Sequence, residues 1–294
     1  MRPVQRNLRI VAVLLALLPA ASAHADSDTV FARVATHDDE RPRALQMSIV
    51  TYTPRDNSRI LSVDLVSAIH IGDSSYYAEL NERFRDYDAL LFELVAPQDA
   101  IVTNRLEERN GILSNAQIGM TKMLDLSFQL DEINYDAANF VHADLSPAEL
   151  KQSMDDRGES LYVYFWRIFF ASLDEYAKDP LGLKDWQMMG AMLSSDQDDS
   201  LKTIIAYEMT NIEQVQDILG EDSSSAVIGA RNQRAIDVLQ REIEAGARRV
   251  GIFYGVAHMP DLEERLLEQL GLGYDKTTWV DAWKLGVGPT NSAN

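Results

Sequence analysis

The chain has 294 residues, 46% of them apolar, enough for a substantial core in one large domain or two small ones. Its formal net charge of −19 at pH 7 makes a surface that repels phosphate backbones, which argues against nucleic-acid binding. The absence of cysteine removes disulfides, thiolate metal sites and cysteine nucleophiles, leaving imidazoles, carboxylates, hydroxyls and amines to carry any chemistry.

Residues 1–25 carry Arg2, Arg6 and Arg9, then a short apolar stretch from Ile10 to Ala23, then small residues ending in Ala-His-Ala. This reads as a secretory signal peptide cleaved after Ala25 or Ala23. The stretch is shorter than the roughly 20 residues a membrane span requires. An exported, periplasmic or secreted protein with no transmembrane span in the mature chain is therefore expected. Residues 26–44 are polar and aperiodic and suggest a flexible arm, leaving 45–294 as a single domain.

Two β-type runs, 46–53 and 59–69, flank the turn-forming Pro54-Arg55-Asp56-Asn57-Ser58 and suggest an antiparallel hairpin. Tyr77, Leu80, Phe84 and Tyr87 follow at helical spacing, with Ser74 or Ser75 as the N-cap. The apolar run 89–95 then completes a β-α-β unit whose strands should run parallel. From 97 to 225 the pattern is mostly helical. Ser146-Pro147-Ala148-Glu149 is an explicit helix start, and the very apolar 161–173 and the Met-rich 186–193 read as the core of a helical insertion. Beyond it, residues 231–245 form an amphipathic helix stopped by Gly246, followed by strand, helix and a last strand. The expected fold is α/β (α+β): a mixed sheet formed by both ends of the chain (45–96 and 226–294) around a large helical insertion (97–225).

His70 and His258 each stand where an apolar strand stops and a helix begins, the edge of an open α/β sheet at which ligands bind. Glu93 lies near the end of a third apolar run and needs a cation, a metal or a donor as partner, because an unpaired buried carboxylate is costly. Two imidazoles and a carboxylate also form a familiar catalytic metal set, with Zn, Mn and Co as the divalent cations open to it. Gly255 would let backbone or ligand approach closely. Arg231 is placed to neutralise Glu93, to hold a substrate carboxylate, or simply to sit in solvent. Asn232 shares the buried face of its helix with Ile236, Leu239 and Ile243, and so either caps backbone or orients a ligand. His142, with Asp144, is a candidate to reach the cleft from the insertion. Asp73 and Tyr254 flank the two histidines and are candidates to support them from behind.

The segments 67–95 and 248–272, with the Arg-Asn pair before the second, resemble the TraB/GumN–Tiki group, a family marked by paired Gly-x-x-His motifs and a glutamate on the strand after the first. The resemblance covers residues 60–96 and 228–272. It implies a divalent-metal-dependent, protease-like site in which His70, His258 and Glu93 hold the metal, while Glu93, Arg231 and Asn232 are catalytic. Ser67 stands where the family has glycine. The function expected on this basis is an exported metal-dependent hydrolase, a metalloprotease acting on a peptide or protein substrate. The alternative is a non-catalytic protein that holds a metal, haem or peptide in the same cleft.

Overall fold

The two runs on either side of Pro54-Arg55-Asp56-Asn57-Ser58 pair antiparallel, as expected of a hairpin. The computed structural model describes residues 29–56, 61–96, 126–159, 197–210 and 225–286. The expected signal peptide and the apolar segments 161–173 and 186–193 lie outside the described residues. In chain order the elements are β1 (Ala32–Thr36), β2 (Pro42–Pro54), β3 (Ser62–Ala68), β4 (Ile71–Gly72), α1 (Ser74–Phe84) and β5 (Ala89–Phe92). Next come β6 (Ser127–Phe128), α2 (Gln129–Glu132), β7 (Phe140–His142), α3 (Pro147–Arg157) and α4 (Gln197–Met209). The chain closes with α5 (Arg231–Ala245), β8 (Arg249–Gly255), α6 (Met259–Glu268) and β9 (Leu272–Lys284).

Among the described residues the main sheet has seven strands. β2 lies antiparallel to β3, after which β3, β8, β5 and β7 run parallel and side by side in that order. The C-terminal β9 follows one edge of β2, and the other edge is shared by β1 and β3. β8 thus enters between β3 and β5, so the two ends of the chain interleave as expected, and α2, α3 and α4 belong to the insertion between them. One segment differs from its reading: Ala32–Thr36, inside the expected loose arm, is a strand with Phe31 and Ala32 buried.

Side chains alternate across the sheet. Val66, Leu90, Phe92 and Phe253 pack with Tyr76, Tyr77, Leu80 and Phe84 of α1 on one face. Leu65, Leu91, Ile252 and Tyr254 pack with Ile236, Leu239 and Leu262 of α5 and α6 on the other. Helices therefore cover both faces of the parallel strands, which explains their nearly unbroken apolar runs. Two caps behave as read: Ser146 and Glu149 form a reciprocal capping box, and Gly246 ends α5 at φ 112°. The start of α1 differs. Asp73, not serine, is its N-cap residue, and it makes no capping bond because its carboxylate accepts from Lys202 Nζ (3.0 Å) and the Lys284 amide (2.7 Å).

Asp64 interrupts the apolar run of β3 and is buried there. Its Oδ2 accepts from the Tyr87 hydroxyl at 2.7 Å, while Oδ1 has no partner among the described residues. Replacing Tyr87 by Phe removes the hydroxyl that donates to that carboxylate while keeping the ring. Tyr87→Phe should lower unfolding stability by about 1–3 kcal/mol, the cost of stranding a buried polar group. Urea denaturation would show this as a lower midpoint at unchanged slope.

Candidate functional site

Each of the four parallel strands delivers one polar residue at its carboxyl end: His70 after β3, Glu93 after β5, Asp144 after β7 and His258 after β8. The exit of β3 is held by α1, whose Tyr76 and Tyr77 hydroxyls donate to the carbonyls of Ser67 (3.1 Å) and Ile69 (2.9 Å). The His70 carbonyl then accepts from the Gln129 amide at 2.9 Å, fixing its backbone against the insertion. Arg231 enters from the other side, at the first position of α5, after a wide π-type turn (Ala226–Ala230) that Ser225 caps. Around these groups lies a cleft of about 270 Å³, lined by His70, Glu93, Arg231, Gly255 and His258 and walled by Met47, Ile69, Met209, Val227, Ile228 and Val256. The expected convergence of both chain ends is therefore present.

What stands at its centre is a guanidinium. Arg231 donates from Nε and Nη2 to the two oxygens of Asp144 (2.9 and 2.6 Å), and from Nη2 to Glu93 Oε1 (2.7 Å). Its Nη1 lies 3.3 Å from His258 Nε2. The second Glu93 oxygen accepts from the Gly255 amide at 2.6 Å, and a Cβ at Gly255 would come within 3.2 Å of that oxygen. Glycine here leaves room for the carboxylate, which a side chain would crowd by a few tenths of an ångström. Burial pushes the Glu93 pKa up, but the charges of His258 and Arg231 and the Gly255 amide outweigh it and bring it down to about 2.

The tautomer of His258 follows from Asn232. The Asn232 amide nitrogen donates to the His258 carbonyl (3.1 Å) and to Asp261 Oδ2 (2.7 Å), so its oxygen faces His258 Nδ1 at 2.6 Å as an acceptor. Nδ1 therefore carries the proton and Nε2 presents a lone pair to Arg231 and the cleft. Asp261 is itself gripped by Arg265 through Nε (2.7 Å) and Nη2 (3.1 Å). Tyr254 packs edge-on against the imidazole with ring centroids 5.3 Å apart, and its hydroxyl donates to the Ala143 carbonyl. Burial is the largest influence on His258 and lowers its pKa; Glu93 raises it, Arg231 lowers it again, and the balance is about 4. His258 is neutral at pH 7.

The metal reading is overturned. Among the described residues no group of three or more His, Asp or Glu side chains is arranged to hold a metal ion. The physical reason is local: the positive charge that Glu93 requires comes from Arg231, His258 turns its free lone pair toward that same guanidinium, and His70 stands exposed at the mouth. Among the described residues the expected divalent cation (Zn, Mn or Co) has no ligand set, and hydrolysis by metal-activated water, the metalloprotease and the metal-holding alternative lose their basis. Ser67 is not part of the cleft, since its hydroxyl pairs with that of Ser48 at 3.1 Å. His142 turns away as well: its Nε2 donates to the Leu94 carbonyl and its ring packs on Phe92. Asp73 is tied to Lys202 and β9. Asp261 and Arg265 were missed, although Asp261 lies three residues after His258 and Arg265 one helical turn further on, a spacing that puts all three on one face.

Both ionisation shifts act on stability in the same direction. His258 has an ordinary value of 6.5 and a folded value of about 4, so between these the unfolded chain holds the extra proton and stability falls as pH falls. Glu93 drops from 4.5 to about 2, so its contribution is present above 4.5 and is lost as pH falls through 2. Each limb is worth at most about 3 kcal/mol. Chemical denaturation across pH should show His258→Gln flattening the upper limb and Glu93→Gln the lower one. A stability maximum below pH 4 would contradict both assignments.

No model of a known protein family matches the chain, and no curated protein matches it in sequence. Together with the lack of a metal-ligand cluster among the described residues, this leaves the resemblance to the TraB/GumN–Tiki group without support.

Proposed function

We propose that the cleft is a binding pocket for a small amphiphilic ligand, seated with its polar end on Glu93, Arg231 and His258 and its apolar part on Met47, Ile69, Met209 and Val256. The observation that carries this reading is the pairing of an ionised, hydrogen-bonded floor with apolar walls around a volume of about 270 Å³. A few convergent polar groups in an apolar hollow is the usual make-up of a ligand site, and the volume lies just below the roughly 300 Å³ at which drug-sized sites begin.

Binding is favoured over turnover by the ionisation of the floor. An efficient general acid or base titrates near the working pH. His258 at about 4 and Glu93 at about 2 are both far below neutrality. In this reading Glu93 meets the polar end of the ligand, Arg231 holds Glu93 in place, and Asn232 acts through His258 by fixing its tautomer. The ligand is met outside the cytoplasm, an assignment supported by the arginine-flanked apolar stretch and Ala-His-Ala of residues 1–25. A side chain presented by a peptide satisfies the same requirements as a free small molecule. Among the described residues no helix is long and apolar enough to cross a membrane.

The pocket can be filled from its α4 wall. Met209 is partly buried on α4, and Met209→Trp should occupy the cleft and leave the sheet intact. Small amphiphiles screened by ligand-observed NMR should bind the wild-type protein and lose roughly tenfold or more in affinity on the filled variant, a loss equal to about 1.4 kcal/mol. Absence of any binder, or binding untouched by the filled cleft, would overturn the reading.

A further inference from the structure

We infer that the cleft selects a primary or secondary ammonium group carried on a short apolar stem, a specificity that rests on the reading of the cleft as a ligand pocket. Three features point to a cation rather than an anion or a neutral head group.

The first is charge. Among the described residues Arg231 is the one cation bound between the two carboxylates, Asp144 and Glu93, and His258 contributes no positive charge at neutral pH. The cluster is left with one excess negative charge. Asp144 is fully buried and Glu93 is partly buried, at 16% side-chain exposure, so this excess is incompletely solvated and a cation gains by joining it.

The second feature is the inventory of hydrogen-bonding capacity. A carboxylate offers about four acceptor directions. Glu93 meets two donors, Arg231 and the Gly255 amide, so capacity remains on the side facing the cleft. His258 Nε2 lies 3.6 Å from Glu93 Oε1 and accepts from Arg231 Nη1 at 3.3 Å, which takes up a further guanidinium proton. Arg231, by contrast, has its Nε proton and both Nη2 protons committed to Asp144 and Glu93. An incoming carboxylate would find little free donor capacity and would face Glu93. An ammonium brings two or three donors to a site rich in acceptors.

The third feature is the approach. Ile69, Val256, Met209 and Val227 wall the path to this floor, so the ammonium must arrive on an apolar stem able to replace water along them. His70 is the titratable group at the mouth, and its charge lowers the Glu93 pKa from outside the walls. A free alkylamine and a lysine side chain share this chemistry.

The test is a matched panel measured by calorimetry at pH 7 on the purified protein: pentylamine, pentanol and pentanoate, and a terminally blocked lysine peptide beside its norleucine counterpart. Pentylamine should bind roughly tenfold or more tighter than pentanol, as a charge-assisted hydrogen bond requires, and pentanoate should be weaker still. Glu93→Gln should erase the preference of pentylamine over pentanol. Val227→Lys, which supplies a tethered ammonium, should weaken pentylamine by a similar factor. Tighter binding of the lysine peptide than of pentylamine would identify a peptide as the source, and the reverse a free amine. Pentanol or pentanoate binding as well as pentylamine would overturn the ammonium assignment and leave the pocket standing. Failure of every compound to bind would overturn the pocket itself.

Discussion

The guanidinium of Arg231 is the part on which the rest of the site depends. It joins the ends of β5 and β7 to the start of α5 through Glu93 and Asp144, and it reaches His258 after β8. Buried ion pairs add little net stability against a well-packed apolar alternative, yet breaking one costs about 3–5 kcal/mol because a bare charge is left behind. Arg231 therefore explains why Glu93 is tolerated in an apolar run and why the loops at this edge of the sheet hold one arrangement. It also sets the chemistry, since a fixed guanidinium cannot exchange or activate water as a metal would.

Much of the frame was legible because its signals are local. The β2–β3 hairpin, the capping box at Ser146 and the Gly246 stop each lie within a few residues of the structure they direct. The placement of His70, Glu93 and His258 at strand ends was legible for the same reason, and so was the inward face of Asn232. The identity of the cation was not. The need of Glu93 for positive charge can be read from its neighbours, but a metal and Arg231 satisfy it equally well on paper. The choice rests on Asp144, 87 residues from Arg231 in sequence, whose two oxygens orient the guanidinium toward Glu93. His142 shows the converse error. It sits two residues before Asp144, but β7 turns its ring toward Phe92 and Leu94 instead of the cleft.

The helical insertion contributes more than cover. α4 docks on the sheet through Lys202, Ile205, Ala206 and Met209, one face at helical spacing. Lys202 is held by Asp73, whose other oxygen accepts from the β9 backbone. The same contact that costs α1 its capping bond thus fixes the helix that supplies Met209 to the cleft wall. Polar floor and apolar wall come from distant parts of the chain, and the acidic balance of the whole molecule reinforces the sign of the floor.

The central claim is that a guanidinium, with a neutral imidazole oriented by Asn232, occupies the junction where a metal was expected. The ring-nitrogen NMR shifts of His258, followed from pH 7 down to pH 3, address it most directly. The account requires a neutral ring protonated on Nδ1 at pH 7, gaining its second proton only near pH 4. A ring already doubly protonated at pH 7, or neutral with its proton on Nε2, would contradict it.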